Sequence, residues 1–150
     1  MRLGVVVSEL NADFVDRMLM AAKKVAASLG VEITYVFSIP GCYDAPLIVK
    51  ELLSKDDVDS VVVLGSVVKE TSLEEYIFNQ LVGKLMDLSL EHGKPVCLGV
   101  SGPGVYWNDA VRQAGAEAYA RMAVEAAFKM FNRLEKLRSA KPAMYPFEVR

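Results

Sequence analysis

Polar residues that could bind a ligand lie in four short segments, each of which follows an apolar run. These segments are residues 8–13, 40–45, 68–73 and 101–109. The third segment places Lys69 and the hydroxyl groups of Thr71 and Ser72 at the beginning of an amphipathic stretch. If that stretch is a helix, its free N–H groups and positive dipole end favour an anion, so the segment suits a phosphate group. A purely structural role is also open, because Ser72 and Glu75 have the spacing of a capping box.

The second segment, "PGCYDAP", offers side chains for a polar, hydroxyl-bearing ligand. Gly41 permits a tight turn, and Tyr43 and Asp44 then precede a helical pattern. Asp44 either caps that helix or accepts hydrogen bonds from the hydroxyl groups of a polyol. Cys42 is expected to be a small packing residue, because no histidine or arginine lies near it in the sequence to lower its pKa.

The fourth segment and the region after it offer aromatic and basic groups. Tyr106 and Trp107 could stack on a ring or pack against another subunit, and Arg112 or Arg121 could close on a phosphate. The single histidine, His92, precedes Gly93 and is expected to be structural or solvated. The sequence contains no metal-ligand cluster, no nucleophile with a neighbouring base and no G-x-G-x-x-G. These residues therefore predict an α/β domain that binds or converts a small molecule and has an anion site.

Composition excludes several other classes of protein. The chain has 150 residues, of which 53% are hydrophobic and 24% charged, so we expect one folded domain. A net charge of −2 argues against nucleic acid as a partner. The sequence shows neither a signal peptide nor an apolar run long enough to span a membrane, so we expect a cytoplasmic protein with no membrane partner. Two cysteines without a C-x-x-C pair predict no disulfide framework.

Short β-branched runs alternate with longer amphipathic stretches along the chain. This pattern predicts strands at residues 2–8, 31–41, 59–68 and 95–102, and helices at residues 13–30, 45–55, 72–93 and 108–139. The last helix is expected to break near Ala114 and Gly115. Strands of the buried type between helices predict a three-layer, flavodoxin-like α/β sandwich with a four-stranded parallel sheet. Residues 1–140 would form this domain and residues 141–150 a C-terminal tail. Ligands of such sheets bind beyond the carboxyl ends of the strands, where the four polar segments would meet.

Five stretches together resemble a known family: "VVVSELN", "IPGCYDAPLIVKELL", "DSVVVLGSVVKET", "KPVCLGVSGPG" and "AVEAAFKM". Over residues 3–137 the chain resembles the 6,7-dimethyl-8-ribityllumazine synthases, particularly their archaeal branch. The resemblance implies condensation of 5-amino-6-(D-ribitylamino)uracil with 3,4-dihydroxy-2-butanone 4-phosphate. A Schiff base forms, phosphate leaves and the pyrazine ring closes, without a metal or organic cofactor. It also implies pentamers, sometimes assembled into larger shells, with each active site between two subunits.

The resemblance also implies roles for individual residues. Contacts with the heterocycle and the ribityl chain would come from Leu10, Asn11, Cys42, Tyr43, Asp44, Ser66, Val67, Val68 and Leu98. The phosphate group would lie near Lys69, Glu70, Thr71, Arg112 and Arg121, although Gln113 competes with Arg112 for the position of the family's phosphate-binding arginine. Leu10 stands where the family places an aromatic or apolar residue, and leucine in place of an aromatic residue would weaken stacking on the pyrimidine ring.

One departure affects the chemistry. The family's phosphate loop reads approximately G-E-T-x-H, and its histidine is the proposed proton carrier. Here Leu73 stands at the histidine position and the loop is one residue shorter before Glu70. Glu74 and Glu75 are nearby substitutes, so the catalytic residue is left unassigned. Three interpretations follow: a lumazine synthase with altered proton handling through a glutamate or water, a related enzyme such as the archaeal riboflavin synthase that shares this fold, or a non-catalytic homologue that binds lumazine or flavin or forms a shell.

Overall fold

Strands and helices alternate along the whole chain. The computed structural model describes residues 1–68, 71–103 and 109–150, with only the backbone for residues 109–114. In chain order the elements are β1 (Arg2–Ser8), α1 (Ala12–Ser28), β2 (Glu32–Ile39), a 3₁₀ turn (Cys42–Asp44), α2 (Ala45–Leu53), β3 (Ser60–Ser66), α3 (Leu73–His92), β4 (Val96–Ser101) and α4 (Asp109–Ser139). All eight predicted strands and helices are present, and residues 140–150 form neither.

The four strands form one parallel sheet in the order β2-β1-β3-β4. The chain moves outward from β1 to β2, then crosses to the other side of β1, which is the winding of flavodoxin-like folds. Helices α1 and α4 pack on one face of the sheet, and α2 and α3 pack on the other. The central strands β1 and β3 are therefore buried on both faces, which explains their uninterrupted valine-rich sequences. The predicted three-layer sandwich is confirmed.

Helix α4 runs without a break, so the prediction of an interruption near residues 114 and 115 is wrong. A glycine inside a helix costs only about 1 kcal/mol relative to alanine, and packing can offset that cost. The packing comes from a row of buried small side chains that faces the sheet: Ala116, Ala120, Ala123, Val124 and Ala127. A Cβ atom on Gly99 of β4 would lie only 3.2 Å from Cβ of Ala123, so the helix and the strand approach closely.

Helix ends on both faces are closed by residues that the sequence marks. Gly30 and Gly93 follow α1 and α3 with φ of 66° and 62°, a conformation that glycine adopts without steric cost. The guanidinium group of Arg138 donates a hydrogen bond to the carbonyl oxygen of Gly93 at 2.5 Å. This bond places a positive charge at the negative dipole end of α3 and ties the end of α4 to it.

An ion pair joins β1 to the residue before β3 at the amino edge of the sheet. Nη2 of Arg2 lies 2.9 Å from Oδ1 of Asp59, and the backbone N–H of Arg2 also donates to Asp59 at 2.7 Å. Partial burial by itself raises the pKa of Asp59, but the hydrogen bonds from Arg2 and its charge outweigh burial and hold the pKa below its ordinary value. The pair therefore stabilises the fold most when Asp59 is ionised.

Candidate functional site

Three segments meet at Gly65, near the carboxyl end of the central strand β3. A Cβ atom at this position would lie 2.6 Å from Sγ of Cys42 and 3.1 Å from Cβ of Ser8. The segment after β2 and the end of β1 are therefore packed directly against the backbone of β3. Only glycine permits this approach, so the absence of a side chain at residue 65 is what brings these segments together.

Small polar groups form a row across the ends of β1, β3 and β4. The hydroxyl group of Ser101 donates to Oγ of Ser66 at 2.8 Å, and Oγ of Ser8 accepts from the N–H of Leu10 at 3.2 Å. The Cys42 thiol is buried against this row, and burial raises its pKa. The thiol is therefore neutral at pH 7, in agreement with the packing role expected for Cys42.

Leu10 and Tyr43 present exposed apolar surface beside this row. Their side chains are 59% and 74% exposed, and Cδ1 of Leu10 lies 3.4 Å from the position that a Cβ atom of Gly41 would occupy. Asn11 adopts a left-handed conformation with φ of 60°, which asparagine tolerates better than most residues, and α1 begins directly after it. The first two polar segments thus adjoin each other, and they leave apolar side chains uncovered where a ring could bind.

The carboxylate of Asp44 closes the 3₁₀ turn rather than the N-terminus of α2. Its Oδ2 accepts the N–H of Gly41 at 3.0 Å, while α2 has no side-chain hydrogen bond from its cap residue. The structural alternative considered for Asp44, a cap of the following helix, is therefore wrong. Its backbone is already helical, with φ of −85° and ψ of −8°, and this conformation directs the carboxylate back to the preceding turn.

A groove of about 620 Å³ lies beside the 3₁₀ turn. Its wall includes Tyr43, Asp44, Leu47, Ile77 and Lys84. Its volume is within the range of about 300–1,000 Å³ that is usual for small-molecule sites. The groove shares only Tyr43 and Asp44 with the predicted substrate contacts, so it adjoins the candidate site at the 3₁₀ turn.

Helix α3 begins with a capping box that is one residue earlier than predicted. Oε2 of Glu74 accepts the N–H of Thr71 at 3.0 Å and its hydroxyl group at 2.8 Å, and Oγ1 of Thr71 accepts the N–H of Leu73 at 3.1 Å. Ser72 makes no side-chain capping bond, so the predicted box of Ser72 and Glu75 is wrong. Ser72 already has helical angles, with φ of −90° and ψ of −10°, whereas a capping residue is usually extended.

The position expected for the proton carrier is open to solvent. The side chain of Leu73, the first residue of α3, is 61% exposed. Leucine has no group that can accept or donate a proton, so this side chain contributes only apolar surface. Among the residues that the structure describes, no group of three or more histidine, cysteine, aspartate or glutamate side chains could hold a metal ion.

Leu98 and Arg121 do not join the other predicted contacts within one chain. Leu98 pairs with Val63 three residues before the end of β4, which places it about 10 Å from the carboxyl edge. Arg121 lies on the exposed side of α4, about 200° around the helix from Ala123, which packs on β4. Thr71 belongs to the layer on the other face of the sheet, so the sheet separates it from Arg121.

Several predicted residues lie outside the part of the chain that the structure describes. These are Lys69, Glu70, Tyr106 and Trp107, and the same holds for the side chains of Arg112 and Gln113. Conversely, the sequence analysis gave no individual role to Ser8, Gly65 or Ser101, which the structure places at the centre of the site, although Ser8 and Ser101 begin two of its polar segments. A signal for two of them exists, since β1, β3 and β4 all end in serine.

The sheet is doubly wound, and polar strand ends and exposed apolar side chains lie together at its carboxyl edge. These features define a small-molecule-binding α/β domain of the flavodoxin-like class. A family model described as 6,7-dimethyl-8-ribityllumazine synthase matches residues 1–135. The chain belongs to this family, as its sequence motifs predicted.

Proteins named 6,7-dimethyl-8-ribityllumazine synthase support this placement along almost the whole chain. The protein from Sulfolobus acidocaldarius is 50% identical over 137 residues, which cover 91% of this chain and 85% of that protein. The protein from Staphylothermus marinus is 48% identical over 93% of both chains. An archaeal flavodoxin structure aligns over 85% of this chain and 99% of its own, with 15% identity and a TM-score of 0.39. None of the helices described is long and apolar enough to cross a membrane.

Proposed function

We propose that this chain catalyses the lumazine synthase reaction of riboflavin biosynthesis. The reaction condenses 5-amino-6-(D-ribitylamino)uracil with 3,4-dihydroxy-2-butanone 4-phosphate and releases 6,7-dimethyl-8-ribityllumazine, inorganic phosphate and water. Family membership over residues 1–135 supports this activity, and so does the identity of 43–50% to proteins that carry its name. No observation favours the alternative of a riboflavin synthase.

The observation that carries the proposal is the division of the predicted contacts into two groups. The segments around Leu10, Tyr43 and Ser66 meet at one edge of the sheet, whereas Leu98 and Arg121 lie in places that the same chain cannot bring to that edge. A second copy could supply both from its β4 strand and α4 helix. We propose that the site is completed in this way in a homo-oligomer, with a pentamer as the expected assembly.

Backbone and side-chain groups at the edge suggest a placement for the aminouracil. The N–H of Val67 already donates to the carbonyl oxygen of Ser101 at 2.9 Å, so the carbonyl group of Val67 and the backbone of Val68 are left to recognise the uracil. The exposed side chains of Leu10 and Tyr43 would cover the ring. Oδ1 of Asp44 would accept a ribityl hydroxyl group, since Oδ2 accepts the N–H of Gly41.

The phosphate group would lie at the beginning of α3. Thr71 offers a backbone N–H and a hydroxyl group there, and the positive end of the helix dipole favours a dianion. Arg121 of a neighbouring copy would add a charge-assisted hydrogen bond. Lys69, Glu70 and Arg112 remain predicted contributors.

The chemistry requires the 5-amino group to attack the ketone with loss of water, a C–O bond to break as phosphate leaves, and the second amine to close the ring with loss of another water. When two polyfunctional substrates are held side by side, correct orientation can lower the activation barrier by about 7–11 kcal/mol. A positioned acid or base typically adds only about 10²–10⁴-fold. The reaction can therefore proceed with Leu73 at the histidine position if water or a glutamate moves the protons.

A non-catalytic homologue that binds lumazine or flavin is the second candidate, and Leu73 is the observation in its favour. The two candidates differ in turnover. Mixing the purified protein with both substrates and following lumazine absorbance should show formation well above the spontaneous rate. Tight binding of lumazine with product formation only at the spontaneous rate would reject the enzyme and support the binding protein.

The phosphate site has its own test. We expect Thr71→Ala and Arg121→Ala to weaken binding of inorganic phosphate, measured by calorimetry. Arg133→Ala is the matched control, because it removes the same charge from an exposed position twelve residues further along α4. Unchanged affinity in both site variants would remove these residues from the phosphate site.

Assembly and location are separate proposals. Sedimentation of the full chain should show an oligomer at micromolar concentration, and a stable monomer would contradict a site shared between copies. We further propose that the enzyme acts in the cytoplasm and needs neither nucleic acid nor a membrane as partner. Residues 141–150 are proposed to be a tail outside the domain of residues 1–140.

A further inference from the structure

The carboxylate of Glu74 already occupies the hydrogen-bond donors that the phosphate group would use. One oxygen atom, Oε2, accepts both the backbone N–H of Thr71 at 3.0 Å and its hydroxyl group at 2.8 Å. A phosphate oxygen bound to the same two donors would have to stand where Oε2 now stands. The carboxylate and the phosphate group are therefore alternative occupants of one position at the beginning of α3.

We propose that Glu74 competes with the phosphate group for the hydrogen-bond donors of Thr71. The Glu74 side chain would withdraw when the phosphorylated substrate binds and would bind these donors again as inorganic phosphate leaves. This role rests on the proposed function, because it requires Thr71 to bind phosphate. Glu74 would then set how tightly the released phosphate is retained. In this role Glu74 acts through Thr71 rather than on a reacting atom, so it is a positioning residue.

The geometry favours exchange over simultaneous binding. A carboxylate and a phosphate dianion at hydrogen-bond distance repel each other, and the side chain of Glu74 is only half-buried, so it can turn toward solvent. Thr71 is exposed, which gives an incoming anion access to the same donors. After Glu74 leaves, Oγ1 of Thr71 can still accept the N–H of Leu73, so the first turn of α3 keeps one of its capping bonds.

The test compares inorganic phosphate binding in the wild type, Glu74→Gln and Glu91→Gln. Glutamine retains a hydrogen-bond acceptor but carries no charge. Glu91 is exposed on the same helix, about 26 Å from Glu74 along the axis, so Glu91→Gln makes the same chemical change away from the site. We expect Glu74→Gln to bind phosphate about 5- to 10-fold more tightly. Glu91→Gln should stay within about twofold of the wild type, since charges at this distance are screened.

Calorimetry with phosphate alone gives the affinities whether or not the protein turns over substrate. Weaker or unchanged phosphate binding in Glu74→Gln would overturn the proposal, and so would an equal gain in Glu91→Gln or no phosphate binding in any variant. Circular dichroism establishes that each variant is folded. The shorter side chain of Glu74→Asp cannot reach Thr71 equally well, so this variant should show a smaller gain in phosphate affinity than Glu74→Gln. Failure of the proposed function would appear separately, as product formation at the spontaneous rate in the wild type.

Discussion

Restoring an imidazole at the beginning of α3 tests directly how the reaction proceeds without one. The change is Leu73→His. Because the side chain of Leu73 is 61% exposed, the substitution should alter the free energy of unfolding by no more than about 0.5 kcal/mol. Any change in rate can then be assigned to the new group rather than to altered folding.

The size of the effect follows from the position of the residue. The positive end of the α3 dipole opposes protonation by about 0.3–1 kcal/mol, which lowers a histidine pKa by about 0.2–0.7 from its usual value of about 6.5. The neighbouring carboxylate of Glu74 acts in the opposite direction. The imidazole should therefore be mostly neutral at pH 7 and able to accept a proton. We expect kcat to rise about 10- to 100-fold, at or below the lower limit of the 10²–10⁴-fold range for general acid–base catalysis, because the rest of the site is not adjusted to this group.

The assay follows lumazine absorbance after both substrates are mixed, with the spontaneous rate subtracted, between pH 5 and pH 9. The variant should show a new inflection near pH 6 in the pH profile of kcat/KM, with the rate rising as the imidazole loses its proton. Leu73→Gln is the control, since it adds a polar group that does not titrate. A folded Leu73→His variant that binds phosphate normally but stays within twofold of the wild-type rate at every pH would refute the reasoning.

Further predictions concern packing and titration. Gly65→Ala should destabilise the protein by about 1–3 kcal/mol in urea unfolding, because its methyl group would lie 2.6 Å from Sγ of Cys42. Adding Cys42→Ala should relieve much of this loss. The control is Gly83→Ala, whose Cβ would meet nothing within 4 Å, so it should be neutral or stabilising. Equal losses with and without Cys42 would contradict the contact. Asp59→Asn should lower the melting temperature by about 1–3 °C at pH 7. The difference in melting temperature from the wild type should vanish as the pH falls below about 3.9, because Asp59, whose pKa is lowered by Arg2, stabilises the fold only while it is ionised. Burial raises the pKa of Cys97 to about 11, so a thiol reagent at pH 8 should modify it in urea and not in the native protein.

The residues of each element specified the element itself. Continuous apolar runs marked the strands, Gly30 and Gly93 marked helix ends, and the alternation of strands and helices predicted the parallel sandwich. These features depend on neighbours a few residues apart, so they can be read along the chain. The capping box shows the limit, because Thr71 with Glu74 and Ser72 with Glu75 have the same spacing, and only the backbone angles of Ser72 distinguish them.

By itself the sequence determined the family, the order of the elements and the segments from which a site had to be built. The tertiary structure decided which of those segments touch. Cys42 and Ser8 both pack against Gly65, whereas Leu98 and Arg121 of the same chain lie away from this contact. The physical reason is that contacts across a sheet depend on strand order and on how closely backbones approach. Strand order and backbone approach depend on residues more than twenty positions apart, so they leave no local periodic pattern in the sequence.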